Sequence, residues 1–131
     1  MITLEDYLMG RDKKYPLDEE LEWNARVTVE RVNTLLSAYG KPLTVASGYR
    51  PKYINEKTPG ASLNSRHITC QAVDLADPDL SFAKWCMLNL PWLTNIGLWM
   101  EHPDYTKGWV HLQTTAPKSG NRVFIPSVRT A

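Results

Sequence analysis

Apolar side chains at Leu21, Ala25, Val29, Val32, Leu36 and Tyr39 recur every three or four residues, while Glu22, Arg26, Glu30 and Asn33 fall elsewhere on the same cylinder. The spacing predicts an amphipathic helix over 18–39. Asp18 is placed to cap its start, Glu19 and Glu20 suit the positive end of its dipole, and Gly40 and Pro42 stop it. Leu43–Ser47 is a short β-prone run ended by Gly48. The polar stretch from Tyr49 to Arg66, with Pro51, Pro59 and Gly60, reads as a long surface segment with room for a helical turn near Pro51–Glu56. Loops of that length are uncommon in compact domains unless they bind something, which makes this one a candidate site wall. Gln71–Ala76 alternates as a strand does. Asp77-Pro78-Asp79 supplies the start of a second helix, Leu80–Leu90, which Pro91 is expected to close. Further strands are expected at Asn95–Met100, Gly108–Thr114 and Arg122–Ile125, and residues 1–17 read as a short polar N-terminal segment. The pattern predicts an α+β fold, a small antiparallel sheet packed against two main helices.

Composition narrows the setting. A chain of 131 residues is expected to form a single domain over 1–131, and 43% hydrophobic with 22% charged residues is ordinary globular usage, which excludes disordered and repeat classes. Fifteen Lys and Arg against fourteen Asp and Glu leave +1 with no basic stripe, so neither nucleic acid nor a membrane surface is an expected partner. The N-terminus lacks a basic region followed by an apolar run, and nothing approaches about 18 apolar residues. Synthesis in the cytoplasm without a signal peptide is therefore expected. Cys70 and Cys86 are too few for a disulfide scaffold and are expected to be reduced and buried.

Candidate chemistry lies in Ser65-Arg66-His67, in Asp74 seven residues after that histidine, and in Trp109-Val110-His111. Two imidazoles and one carboxylate near strand ends form a zinc-ligand set, because catalytic zinc commonly takes three protein ligands and keeps the fourth position open. The same residues also read as a loop histidine and a capping aspartate, and spacing leaves both readings open.

The order of four motifs, Ser47-Gly48-Tyr49-Arg50, Ser65-Arg66-His67, Ala72-Val73-Asp74 and Trp109-Val110-His111-Leu112, resembles the zinc D-alanyl-D-alanine carboxypeptidase and phage L-alanyl-D-glutamate peptidase family. Members of that family share a core fold with the hedgehog signalling domain. The resemblance runs from about Ala25 to Phe124. It implies a hedgehog/DD-peptidase-like fold and one zinc ion held by His67, Asp74 and His111. It also implies that Arg50 holds a substrate carboxylate or the developing oxyanion. Ser65 is read as a hydrogen-bonding partner of substrate or an organiser of the metal loop, with a turn-forming serine as the alternative. The implied activity is hydrolysis of a peptide bond in the peptidoglycan stem peptide. A single-domain chain without a leader would suit a phage lytic enzyme released to the cell wall, or one carried in a virion among other virion proteins.

Two departures stand out. Relatives usually carry Gly three residues after the first ligand histidine, where this chain has Cys70. Glycine tolerates positive φ and cysteine does not do so cheaply, so either the backbone is ordinary there or the loop has shifted. Cys70 as a fourth ligand would close the site. Relatives also place an acid two or three residues before the last histidine, but here those positions are Trp109 and Gly108. If Gly97–Glu101 and Trp109–His111 form a hairpin, strand alternation makes Glu101 the expected general base, with Asp104 in reserve and His102 a turn residue. Trp85 and Trp92 are expected in the core, and Trp99 and Trp109, beside the proposed site, are also read first as core residues. The alternative function is a non-catalytic metal-binding structural or assembly module of a phage particle. A wall-binding module without metal is a third class.

Overall fold

In the computed structural model, which describes residues 1–62 and 64–126, the elements run α1 (Leu4–Leu8), α2 (Glu19–Tyr39), β1 (Val45–Ser47), α3 (Lys52–Glu56), β2 (Ala72–Ala76), α4 (Ser81–Leu88), α5 (Leu90–Ile96), β3 (Trp99–Glu101), β4 (Trp109–Gln113) and β5 (Val123–Phe124). The long helix has the expected ends. Asp18 Oδ1 accepts the Leu21 N–H at 2.8 Å, and Gly40, at φ 87°, returns its N–H to the Leu36 carbonyl at 2.8 Å.

The fold is α+β, with a five-stranded sheet in the order β1-β2-β4-β3-β5. Pairing is antiparallel except between β3 and β5, whose parallel contact makes the sheet mixed rather than purely antiparallel. Val73, Leu75, Met100, Val110 and Leu112 alternate onto one buried face. They share a core cluster with Val32, Leu35 and Leu36 of α2 and Phe82, Ala83 and Cys86 of α4. Full burial of each large aliphatic side chain contributes about 1.5–3 kcal/mol. The alternate positions, Asp74, Glu101, His111 and Gln113, therefore occupy the other face.

Three expectations change. Pro91 opens α5 at its first turn instead of closing the preceding helix, because its fixed φ suits a helix start. Asn95 and Ile96 are consequently helical, and the strand begins only at Trp99. Trp92, expected in the core, is 46% exposed, whereas Trp85 packs 5.3 Å from the Tyr39 ring. The polar N-terminal segment also contains α1, opened by a Thr3–Asp6 capping box, and it buries Ile2, Tyr7 and Leu8.

Candidate metal centre

The site is held by hydrogen bonds to main-chain carbonyls that begin in this N-terminal segment. Tyr49 N–H donates to the Tyr7 carbonyl at 2.9 Å, Arg11 Nη1 donates to the Tyr49 carbonyl at 2.9 Å, and the Tyr7 hydroxyl donates to the Ala72 carbonyl at 2.7 Å. Gly48 passes so close to Tyr7 that a Cβ there would overlap the Tyr7 carbonyl oxygen. The close approach, not a positive φ, is what requires glycine. On the other side of the loop, Thr28 and Asn24 of α2 donate to the carbonyls of Cys70 and Thr69 at 2.7 and 3.1 Å. Arg50 N–H then ties the Ser-Gly-Tyr-Arg turn to the His67 carbonyl at 3.1 Å.

Antiparallel pairing of β2 with β4 sets Asp74 directly opposite His111, and the anchored loop brings His67 over the pair. One ligand atom from each of the three residues lies within 4.8 Å of the others. His111 Nδ1 is 2.9 Å from Asp74 Oδ1, and His67 Nε2 is 3.3 Å from Asp74 Oδ2. The far nitrogens are also engaged, His67 Nδ1 with the Gly48 carbonyl at 2.8 Å and His111 Nε2 with Gln113 at 2.9 Å. A main-chain carbonyl can only accept, so His67 carries its hydrogen on Nδ1 and, when neutral, turns the Nε2 lone pair towards a carboxylate. That opposition of lone pairs is relieved by a proton or a cation. The donor set therefore fits a metal ion that takes imidazole nitrogen and carboxylate oxygen.

Charge balance agrees with that fit. Burial alone would raise Asp74, but the two imidazoles outweigh it and hold the carboxyl well below the usual carboxylate range. Burial pushes His67 below the ordinary histidine value. Burial acts the same way on His111, but there the Asp74 hydrogen bond and charge, Gln113 and Glu101 win, so His111 is raised above the ordinary histidine value. Without metal, the Asp74 carboxylate faces the His111 ring at 2.9 Å, an arrangement that favours the protonated imidazole.

Arg50, 8% exposed, is no surface arginine. Its guanidinium donates to Asn55 Oδ1 at 3.2 Å and Ser47 Oγ at 3.0 Å and lies 3.8 Å from Asp74 Oδ2. Trp99 and Met100 pair with Gln113 and Leu112, so strand alternation puts Glu101 on the His111 face. Burial raises the Glu101 carboxyl, partly offset by His111, while Asp74 raises it further. Asp104 is not brought in. Its side chain is 84% exposed and faces His102 at 3.7 Å, and His102 is a turn residue whose Nδ1 accepts the Asp104 N–H. The Ser65 hydroxyl accepts the His67 N–H at 3.2 Å, so it organises the loop. Trp99 and Trp109 are half-buried, and the Trp99 ring is covered by Arg122 at 4.3 Å.

Cys70 corrects an expectation. It takes φ 59°, so the positive-φ turn that glycine would favour is present with a side chain on it, and neither an ordinary backbone nor a shifted loop is needed. The thiol is buried, its pKa pushed up to about 12, and it is not a member of the ligand cluster. Sequence reasoning missed the outer hydrogen bonds from Gly48, Asn55 and Gln113. Only Gln113 left a signal, standing two residues from His111 on the same strand face.

Among the described residues, no helix is long and apolar enough to cross a membrane. No curated protein and no solved structure matches the chain. A family model described as peptidase M15 matches residues 9–113.

Proposed function

This chain belongs to the peptidase M15 family, whose members are metal-dependent, and from that premise we propose that it is a zinc peptidase of the bacterial cell wall. Its substrate is the peptidoglycan stem peptide, cut in carboxypeptidase or endopeptidase fashion, in a phage lytic or virion-associated role. The observation that carries the reading is the cluster of His67, Asp74 and His111, with Arg50 beside Asp74 and Glu101 on the His111 strand face.

His67, Asp74 and His111 would hold the ion. Zinc bound there supplies a Lewis acid for the scissile carbonyl and lowers the pKa of water towards about 7. Glu101 takes the proton of the attacking water and returns it to the leaving amine nitrogen, so the carboxylate is regenerated as the peptide C–N bond breaks. Its burial suits that exchange, since a raised carboxyl gives the proton up less readily to solvent. Arg50, immobilised by Asn55 and Ser47, presents a planar fork to a substrate carboxylate or the oxyanion. No covalent intermediate is required.

The test is digestion of purified peptidoglycan by zinc-loaded protein, read as new amino termini or released D-alanine, with Glu101→Gln as control. The wild type is expected to cleave, and the variant to bind zinc without cleaving. A zinc-loaded wild type that releases nothing favours the non-catalytic phage-particle module, for which the missing acid at positions 108 and 109 speaks.

A further inference from the structure

Gln113 stands two residues after His111 on β4, so both side chains project from the same face, and it is 6% exposed. Its amide nitrogen donates to the Thr115 carbonyl at 2.9 Å, and its Oε1 lies 2.9 Å from His111 Nε2. These two contacts together assign the amide and the Nε2 hydrogen. The Thr115 carbonyl can only accept, so the amide must turn its NH2 group there and its oxygen towards His111. That oxygen can also only accept, so His111 carries a hydrogen on Nε2. The Asp74 carboxylate beside Nδ1 also only accepts, so the metal-free ring favours a hydrogen on each nitrogen; with Nε2–H held by Gln113, the nitrogen left to lose its proton to a cation is Nδ1, facing Asp74. The Phe124 ring meets His111 edge-on, at 6.1 Å and 85°, and its side chain carries no polar acceptor.

We propose that Gln113 is a positioning residue: anchored by the Thr115 carbonyl, it fixes the Nε2–H tautomer of His111 and makes Nδ1 the metal-binding atom. The inference rests on the metal-centre reading above. An amide suits the task because it accepts the hydrogen bond without adding a third carboxylate to a face that already carries Asp74 and Glu101. A methionine of similar length fills the space and accepts only weakly, so the ring would lose both its preferred tautomer and its orientation. A glutamate keeps the acceptor and makes the imidazole more basic.

The experiment uses the full chain loaded with zinc chloride. In the wild type, nitrogen–proton correlation spectra are expected to show His111 protonated at Nε2 and zinc-bound at Nδ1. Gln113→Met should weaken zinc binding about 10–100-fold in competition with a chelator, and Gln113→Glu should stay within about threefold of wild type. Zinc on Nε2 of His111 in the wild type, or Gln113→Met within about threefold of wild type, overturns the proposal. Gln113→Glu losing as much as Gln113→Met overturns it too, because shape rather than the acceptor would then matter. If Gln113→Met does not fold, the wild-type spectrum decides alone. A wild type that takes up no zinc overturns the metal-centre reading and this proposal together, whereas zinc bound through Nε2 removes only this one.

Discussion

Replacing Gly48 by alanine should weaken both the fold and the metal site, although the added group is one methyl. Besides overlapping the Tyr7 carbonyl oxygen, the new Cβ would lie 2.8 Å from the Tyr7 carbonyl carbon and 2.9 Å from its Cδ1. Two of those three atoms are main chain, so no flexible side-chain end can step aside, and the segments must part by roughly 1 Å to reach ordinary contact distance. The 2.9 Å bond from Tyr49 N–H to the Tyr7 carbonyl then lengthens beyond useful range, losing about 1 kcal/mol, and overpacking of this kind costs a further 1–3 kcal/mol or so. A total of about 2–4 kcal/mol leaves a domain of ordinary stability folded but softened. Gly48 also supplies the carbonyl that holds His67 Nδ1, and losing such an outer hydrogen bond typically lowers metal affinity about 10–100-fold. Urea unfolding of metal-free protein measures the first effect and zinc titration against a chelator the second. An alanine variant with an unchanged midpoint and unchanged zinc affinity would refute both the close-packing account and the role given to the Gly48 carbonyl.

Further outcomes follow from the same geometry. His67→Ala or His111→Ala should lose stoichiometric zinc, and retention at unchanged affinity by either variant in a metal assay would remove that residue from the ligand set. Arg50→Lys should lower kcat/KM on stem peptides by tenfold or more, roughly the loss of one charge-assisted bond, with little change in zinc content, because a point charge cannot reproduce the fork. Glu101→Gln should abolish turnover and also raise the melting temperature of metal-free protein at pH 7. A carboxyl raised by burial stabilises the fold below its unfolded value of about 4.3 and loses that contribution as pH rises through its folded value, so the gain should vanish near pH 4. Zinc binding near pH 6.5 should release a proton chiefly from His111, which is raised above the ordinary histidine value while His67 is lowered below it. Calorimetry in two buffers of different ionisation enthalpy reads that proton, and binding heats independent of buffer would contradict it.

The parts legible in the sequence were those with a repeating or punctuated signal. The stripe from Leu21 to Tyr39, bounded by Asp18 and Gly40, marks α2, and the alternation of β2 and β4 puts Asp74 and His111 on one face. Short elements lack such a signal. Five-residue α1 has too few turns for periodicity to register, and its Thr3–Asp6 box is the only local cue. Pro91 was ambiguous because proline both ends one helix and begins another, and the two-residue strand β5 takes its parallel partner from tertiary packing. Cys70 at φ 59° shows tertiary contacts overriding local preference: Thr28 holds its carbonyl and the core holds its thiol, against a left-handed cost of roughly 1–2 kcal/mol. The outer shell around the ligands could not be read, because the Gly48 carbonyl and the Asn55 amide act through positions that only the folded loop brings near.

The pairing of Asp74 with His111 joins residues 37 apart, and it sits within a five-pair ladder between β2 and β4. Ladder formation across that separation must first overcome the entropy of closing the intervening chain, which places it late among folding events. An ion meeting the nascent or unfolded chain finds His67 and Asp74 close in sequence but no third donor in place. Complete coordination therefore waits for the sheet, and the sheet must assemble on the strength of its own apolar face and the hydrogen bonds that Tyr7 and Arg11 make to it and its loops. The order of events is folding first and loading second, so the chain passes through a folded, metal-free state in which Asp74 rests against His111.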